Sequence, residues 1–317
     1  MVNKITVIGA GNVGATVTND VAIKNLAEEV VLIDIVENLA EGKALDMWES
    51  SSIFGFHSRI KGVTNDYSAS KDSDIIVITA GKPRKPGMSR DDLISTNAKI
   101  VNIIATELIK YSPNAIFIVV TNPLDVMTYA VYKTITKFVN KPRTQVFGMA
   151  GTLDVARYKA FIAEALNVSP DNIQALLMGG HGDTMVPLPR YTSIGGVPLT
   201  QLLDKETIDK IIVRTQKGGG EIVQLLGTSA WYAPGAAVMK VVEAVAMNKR
   251  EILPVCAYLD GQYGYKDIYI GVPVILGKNG IEKVIEIDFN EEEKAYFDKS
   301  AAHVKEVMKV LDDMNII

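Results

Sequence analysis

His181 stands in the run MGGHGDTMVP, Met178 to Pro187, with glycine on both sides and Asp183 two residues on. Gly180 and Gly182 offer the ring no side-chain packing and let the backbone turn where other residues would clash. An imidazole so placed is either a loop or core histidine of no special role, or a titratable group, of ordinary pKa near ~6.5, presented in a cleft to give and take a proton. Asp154 and Arg157, in TLDVAR, are spaced by three and share one helical face. By itself that is a surface ion pair; at a junction between domains it is a candidate for a ligand cleft. The stretch Ala80 to Asp92 (AGKPRKPGMSRDD) carries Arg84 and Arg90 together with two prolines and two glycines. It is a hinged lid, a solvated basic loop or a nucleic-acid patch. Asn122, in Thr121-Asn122-Pro123, is either a polar ligand at a strand end or the usual shaper of an Asn-Pro turn.

Those residues need a frame, and the first half of the chain supplies one. Short β-branched runs recur near Ile5, Val31, Ile75, Ile116 and Val146, separated by amphipathic stretches such as Asn97 to Tyr111. Runs apolar on both faces and alternating with helices predict a doubly wound parallel sheet in an α/β fold. The first strand enters Gly9-Ala10-Gly11-Asn12-Val13-Gly14, a helix follows over Thr16 to Lys24, and Asp34 ends the next strand twenty residues beyond Gly14. In that context the glycines make a tight turn, admit a pyrophosphate to backbone amides at a helix N-terminus and let helix pack on strand. A carboxylate at Asp34 accepts from ribose hydroxyls and repels a 2′-phosphate, which selects NAD over NADP. The alternative is a purely structural βαβ turn. No Gly-Lys-Ser/Thr follows, so a P-loop is excluded. Ligands of such sheets bind beyond the carboxyl ends of the strands, where the Arg84/Arg90 loop and Asn122 both fall.

Beyond about Gly151 the rhythm changes. A helix over Leu153 to Leu166, a strand near Gln174, the histidine loop and a hairpin turning at Gly277 to Gly280 predict a C-terminal α+β domain. The boundary is set at 1–148 and 149–317. A last helix, Glu291 to Met314, places Tyr296, Phe297, Val304, Val307, Met308 and Leu311 at helical spacing, a core stripe. Hydrophobic residues make up 48% and charged residues 22%, the balance of an ordinary globular protein, and the net charge of −4 gives no general pull toward nucleic acid or anionic membrane. Cys256 is the only cysteine, so no disulfide closes within the chain, and His57, His181 and His303 lack ligand-like spacing; no metal is expected. No secretion signal is read at the N-terminus and no apolar run reaches the ~20 residues of a membrane span, so a cytoplasmic protein without membrane partners is expected.

These motifs, in this order and through the whole chain, resemble the lactate/malate dehydrogenase family, closest to its lactate-dehydrogenase-like bacterial group. The resemblance implies a Rossmann domain binding NAD and reversible hydride transfer with a 2-hydroxy acid. His181 matches the family's proton donor and acceptor, Asp154 the carboxylate that orients the ring, and Arg90 the lid arginine that polarises the C2 carbonyl; these form the expected catalytic set. Arg157 matches the two-pronged grip on the substrate's C1 carboxylate, and Asn122 the asparagine bonded to the substrate oxygen. Cofactor contacts are expected at Gly9, Gly11, Asn12, Val13, Gly14, Asp34, Asn97 and Asn122. Lactate enzymes carry glutamine where Arg84 stands and malate enzymes arginine, so the implied pair is (S)-malate and oxaloacetate, with L-lactate or another 2-hydroxy acid as the alternative. A non-catalytic NAD-binding regulator would need the glycine loop and Asp34 but not His181, Asp154, Arg157 and Arg90 together. A homotetramer is implied, with a dimer as second choice. Ser229 and Ala230, in GTSAWYAPG, match a segment near the pocket. The chain departs from relatives at Gln216 and Lys217, where arginine and asparagine are common, and Gly218 to Gly220 read as a helix kink or close-packing site.

Overall fold

The computed structural model describes residues 1–83 and 89–317. The first half runs β1 (Val2–Ile8), α1 (Asn12–Ile23), β2 (Ala27–Asp34), α2 (Leu39–Glu49), the one-turn α3 (Ser51–Phe54), β3 (Arg59–Thr64), β4 (Ile75–Ile78), α4 (Arg90–Tyr111), β5 (Ile116–Val119), α5 (Leu124–Ile135) and β6 (Val146–Gly148). The second half opens on α6 (Gly151–Leu166) and the short strands β7 (Ile173–Gln174), β8 (Leu177–Met178), β9 (Val186–Pro187), β10 (Ser193–Ile194) and β11 (Val197–Pro198). It ends on α7 (Leu199–Leu202), α8 (Lys205–Leu226), α9 (Tyr232–Ala246), β12 (Glu251–Asp260), β13 (Lys266–Gly277), β14 (Gly280–Val284) and α10 (Glu291–Asp313).

Every residue of β4 and β5 is buried, as strands covered on both faces require. One nine-stranded sheet, ordered β14-β13-β12-β6-β5-β4-β1-β2-β3, passes through both halves. Strands β1 to β6 pair in parallel, and β12 joins them antiparallel to β6 where Cys256 faces Gly148. The expected hairpin of β13 and β14 forms and extends this same sheet. The order reverses at β1, which has β2 on one side and β4 on the other, so the ligand crevice lies at the carboxyl ends of β1 and β4.

Besides the two-residue strands β8 to β11, two longer strands are not anticipated from the sequence. β3, RIKGVT, is an edge strand with no fully buried residue, covered by α2 so closely that a Cβ on Gly62 would overlap the Ala40 carbonyl. β12 carries Pro254 in its interior, which argues against a strand on sequence alone; it stands opposite Pro273 in the ladder. The C-terminal stripe is corrected at one position. Phe297, Val304, Val307, Met308 and Leu311 are buried, whereas Tyr296 is 56% exposed, turned about 100° from its neighbour around the helix. Side-chain caps fix where the long helices start: Ser89 and Asp92 form a capping box on α4, as Asn290 and Glu293 do on α10.

Candidate active site

Gly179 and Gly180 before His181 are there because β13 and α10 crowd that loop. Gly179 exchanges backbone hydrogen bonds with Gly271 of β13 at 2.9 and 3.1 Å and has φ +88°, and a Cβ there would sit 2.7 Å from Ser300 Oγ. Gly180 N–H donates to Ser300 Oγ at 2.9 Å, and a Cβ would meet Val304 of α10 at 2.7 Å. Gly182 turns the chain away at φ +123°. Held between β13 and α10, the loop turns His181 toward α6. Its Nδ1 lies 2.9 Å from Asp154 Oδ2, and the imidazole is 17% exposed against 2% for the Asp154 side chain. A carboxylate only accepts, so Nδ1 carries hydrogen and Nε2 is left to exchange a proton. Burial pulls the proton affinity of His181 down; the Asp154 charge and hydrogen bond, joined by Asp125, outweigh that and the opposing charge of Arg157, and the pKa stands above the usual imidazole value.

Arg157 completes the cluster one helical turn on. Its Nη1 donates to Asp154 Oδ1 at 3.2 Å, while its Nε is buried with no hydrogen-bond acceptor. A buried guanidinium N–H without an acceptor is a donor that a carboxylate ligand could satisfy. The glycines of α8 explain themselves here: α8 runs unbroken through them, and a Cβ on Gly218 would press on Arg157 Cδ at 3.3 Å. Gly218 serves close packing, a Cβ on Gly219 would lie in ordinary contact with Arg157 and one on Gly220 in open space, and the helix has no break there. Gln216, the departure from the family pattern, donates to the Met185 carbonyl at 3.0 Å and ties α8 to the chain beyond the histidine loop.

At the crevice the three glycines of the first loop differ in role. A Cβ on Gly14 would overlap the Gly9 carbonyl oxygen, and one on Gly9 would lie 2.8 Å from Ala80 N. Gly11 has open space where its side chain would be, and it caps α1 without a side-chain hydrogen bond, so the first-turn amides at Asn12 and Val13 face outward unclaimed by any cap. The loop is closed where helix must meet strand and open where a pyrophosphate would approach, which fits a dinucleotide. Asp34 also braces it: Oδ2 accepts from Ala10 N–H at 2.6 Å and Oδ1 from Val36 N–H at 2.9 Å. Lys43, absent from the sequence reading, donates to the Ala10 carbonyl at 2.7 Å.

The remaining expected residues fall in different places. Asn122 is exposed at the end of β5 beside a cis bond to Pro123. Asn97 is buried, its amide committed to backbone: Lys82 N–H at 2.8 Å, the Lys82 carbonyl at 3.1 Å and the Asn122 carbonyl at 2.6 Å. It braces the two walls of the crevice. Arg90 begins α4, exposed, with Nη2 2.9 Å from His303 Nε2 of α10; it is not among the groups gathered at His181. Arg84 lies outside the described residues. Ser229 is exposed and Ala230 half-buried in the segment between α8 and α9. Asp125 was missed: its Oδ2 accepts the His181 N–H at 2.9 Å from the first turn of α5. An acid in the otherwise apolar run after Asn122-Pro123 was the available signal. Among the described residues no group of three or more His, Cys, Asp or Glu could hold a metal ion, and no helix is long and apolar enough to cross a membrane.

Comparison with known proteins finds a match for each half of the chain. Residues 3–148 match the model of the lactate/malate dehydrogenase NAD binding domain, and residues 151–314 that of the lactate/malate dehydrogenase alpha/beta C-terminal domain. The chain is 57% identical over 311 residues to a malate dehydrogenase of Cytophaga hutchinsonii, covering 98% of each. It superposes on the structure of malate dehydrogenase from Salinibacter ruber with a TM-score of 0.93 at 52% identity, 98% of each chain being covered. It superposes likewise on malate dehydrogenase from Plasmodium falciparum in complex with NADH, with a TM-score of 0.90 at 35% identity, covering 98% of this chain and 99% of that one.

Proposed function

The chain belongs to the lactate/malate dehydrogenase family, and from that premise we infer an NAD-dependent malate dehydrogenase, which interconverts (S)-malate and oxaloacetate. The observation that carries the assignment of roles is the continuous polar chain Arg157–Asp154–His181, with hydrogen bonds of 3.2 and 2.9 Å and a guanidinium Nε awaiting an acceptor. We assign residues 1–148 to the cofactor and 149–317 to the substrate, a division that the two family-model matches support.

When bound, NAD accepts or supplies the hydride at the substrate C2. The chain's own residues handle charge and proton. Arg157 holds the C1 carboxylate, a match of planar fork to planar anion that fixes which face of C2 is presented. His181 Nε2 gives its proton to the forming hydroxyl during reduction and takes it back during oxidation, and Asp154 stabilises the cation between turnovers. Asn122 donates to the substrate oxygen. Arg90 polarises the C2 carbonyl, exchanging its bond to His303 for the substrate oxygen. Arg84 neutralises the distal carboxylate that oxaloacetate has and pyruvate lacks. The backbone amides at Gly11, Asn12 and Val13 take the pyrophosphate at the start of α1, with Gly9 and Gly14 shaping the turn, Asp34 takes the adenosine ribose, and Asn97 holds the nicotinamide end of the wall.

The working form is a homotetramer in the cytoplasm, with a dimer as the simpler assembly. Exposed apolar side chains support an assembly: Leu45, Ile53 and Phe54 on α2 and α3, and Leu225, Leu226 and Tyr232 at the end of α8 and start of α9, are 55–82% exposed. The test of function is direct. Wild type oxidises NADH with oxaloacetate and prefers it over pyruvate by roughly 10²-fold or more in kcat/KM, and His181→Asn lowers kcat by roughly 10²–10⁴ while NADH affinity holds. A parallel loss of NADH binding, or equal use of pyruvate, refutes the reading.

A further inference from the structure

Asp125 is a buried carboxyl for which the reaction as described has no use. It projects from the first turn of α5, 7% exposed, into the point where the histidine loop, α6, α10 and β12 meet. Its Oδ2 accepts the backbone N–H of His181 at 2.9 Å, and its Oδ1 has no regular hydrogen-bond partner. The Cys256 thiol of β12 lies against the same carboxyl, and burial together with the Asp125 charge pushes that thiol far toward its protonated form. A lone buried carboxyl oxygen costs free energy unless something offsets it. A purely structural acceptor for one amide would be served as well by a neutral side chain.

We propose that Asp125 is a positioning residue for the reaction, gripping the backbone of His181 and setting a second negative charge near its imidazole. The proposal rests on His181 being the proton carrier. Three neighbours already fix the loop on other sides: Gly179 on Gly271, Gly180 on Ser300, and the His181 ring on Asp154. Asp125 takes the amide of His181 itself. The charged groups facing the imidazole are Asp154 and Arg157 from α6 and Asp125 from α5; those facing Asp125 are His181, Asp154 and the Cys256 thiol, with the hydroxyls of Thr128 and Ser300 nearby on α5 and α10. Asp154 and Asp125 thus bracket one histidine, one at the ring and one at the backbone. Burial pushes the Asp125 carboxyl up and the His181 cation favours its ionised form, so when the imidazole is protonated the two carboxylates act on it together; among the described residues Arg157 is the charge that opposes them.

Asp125→Asn tests this, because the amide oxygen keeps the bond to His181 N–H and only the charge goes. The readout is the pH at which kcat/KM changes, measured for oxaloacetate reduction and malate oxidation. Rates alone would mislead: the overall equilibrium constrains the two directions together, whereas the position of the limb follows the histidine. In wild type the limb belongs to His181 and vanishes in His181→Asn. In Asp125→Asn it is expected at lower pH by roughly 0.3 unit or more in both directions, with NADH affinity within about two-fold. If Asp125→Asn does not fold, Asp125→Asn/Cys256→Ser gives the new amide N–H a hydroxyl to donate to, with Cys256→Ser as its reference, and the same displacement is expected. A limb unmoved in a folded variant, whatever happens to thermal stability, overturns the proposal. Absence of a His181-dependent limb in wild type overturns instead the proton-carrier reading on which it stands.

Discussion

Asp154→Asn is expected to lower kcat for oxaloacetate reduction by roughly 10²–10⁴, or about 3–5 kcal/mol of barrier, while leaving NADH binding within about two-fold. The size follows from the hydrogen bonds. Arg157 Nη1 donates to Asp154 Oδ1 at 3.2 Å, which holds the asparagine oxygen on that side and turns its NH₂ to His181 Nδ1, 2.9 Å from the present Oδ2. Nδ1 must then accept, and the ring proton resides on Nε2. Forming the imidazolium would set two donors against each other in a site where the Asp154 side chain is 2% exposed and water offers little relief. The cation that gives up the proton is therefore the species most penalised. Wild-type His181 holds its proton to higher pH than free imidazole because Asp154 overcomes the cost of burial, so reduction is favoured below the folded-state pKa and fades as pH rises through it. In the variant that fading begins at lower pH. NADH absorbance followed with oxaloacetate over about pH 5 to 9 reads both effects, and cofactor fluorescence reads binding. A kcat within about ten-fold of wild type and an unmoved limb would mean that Asp154 only packs against the ring.

Two further substitutions separate the roles within the cofactor loop. Gly14→Ala drives a methyl into the Gly9 carbonyl, so α1 must shift from β1 and NADH binding is expected to be lost with a fall in thermal stability, whereas Gly11→Ala meets open space, folds normally and weakens NADH only by crowding its approach; calorimetry and fluorescence titration distinguish them, and equal stability of the two variants would contradict the geometry. Asp34→Ser is expected to raise the NADPH/NADH preference measured by kcat/KM and also to cost roughly 1–3 kcal/mol of stability, because the Ala10 and Val36 amides lose a charged acceptor; an unchanged preference would leave Asp34 with the bracing role alone.

Local patterns made the cofactor half legible. The glycine loop needs only a strand, a turn and a helix in sequence, and each of its steric demands falls on a residue within five positions of the next. Likewise the buried runs of β4 and β5 signal themselves, since strands covered on both faces leave no polar positions to obscure them. β3 and β12 escaped for the converse reason. An edge strand keeps polar residues, and Pro254 is tolerated in β12 through pairing that only the assembled sheet defines.

The site itself divides along the same line. His181 drew attention through its glycines, yet the reason for Gly179 and Gly180 lies 92 and 120 residues away, in Gly271 and Ser300, and no local rule contains it. Asp154 and Arg157 looked like any i,i+3 pair; what distinguishes them is that a histidine from another element reaches the carboxylate and that Gly218 of α8 packs on the guanidinium. Asn97 matched a cofactor ligand by position, but its amide binds Lys82 and Asn122 and so holds apart the walls between which a nicotinamide would lie. Sequence identifies groups that can do chemistry because side-chain type is local. It does not identify the groups that hold them, because a hydrogen bond such as that from His181 N–H to Asp125 exists only once α5 and the loop have met. The supporting residues are therefore where this structure adds most to the sequence, and the two buried carboxylates around one imidazole are the place where that addition changes the expected pH dependence of the reaction.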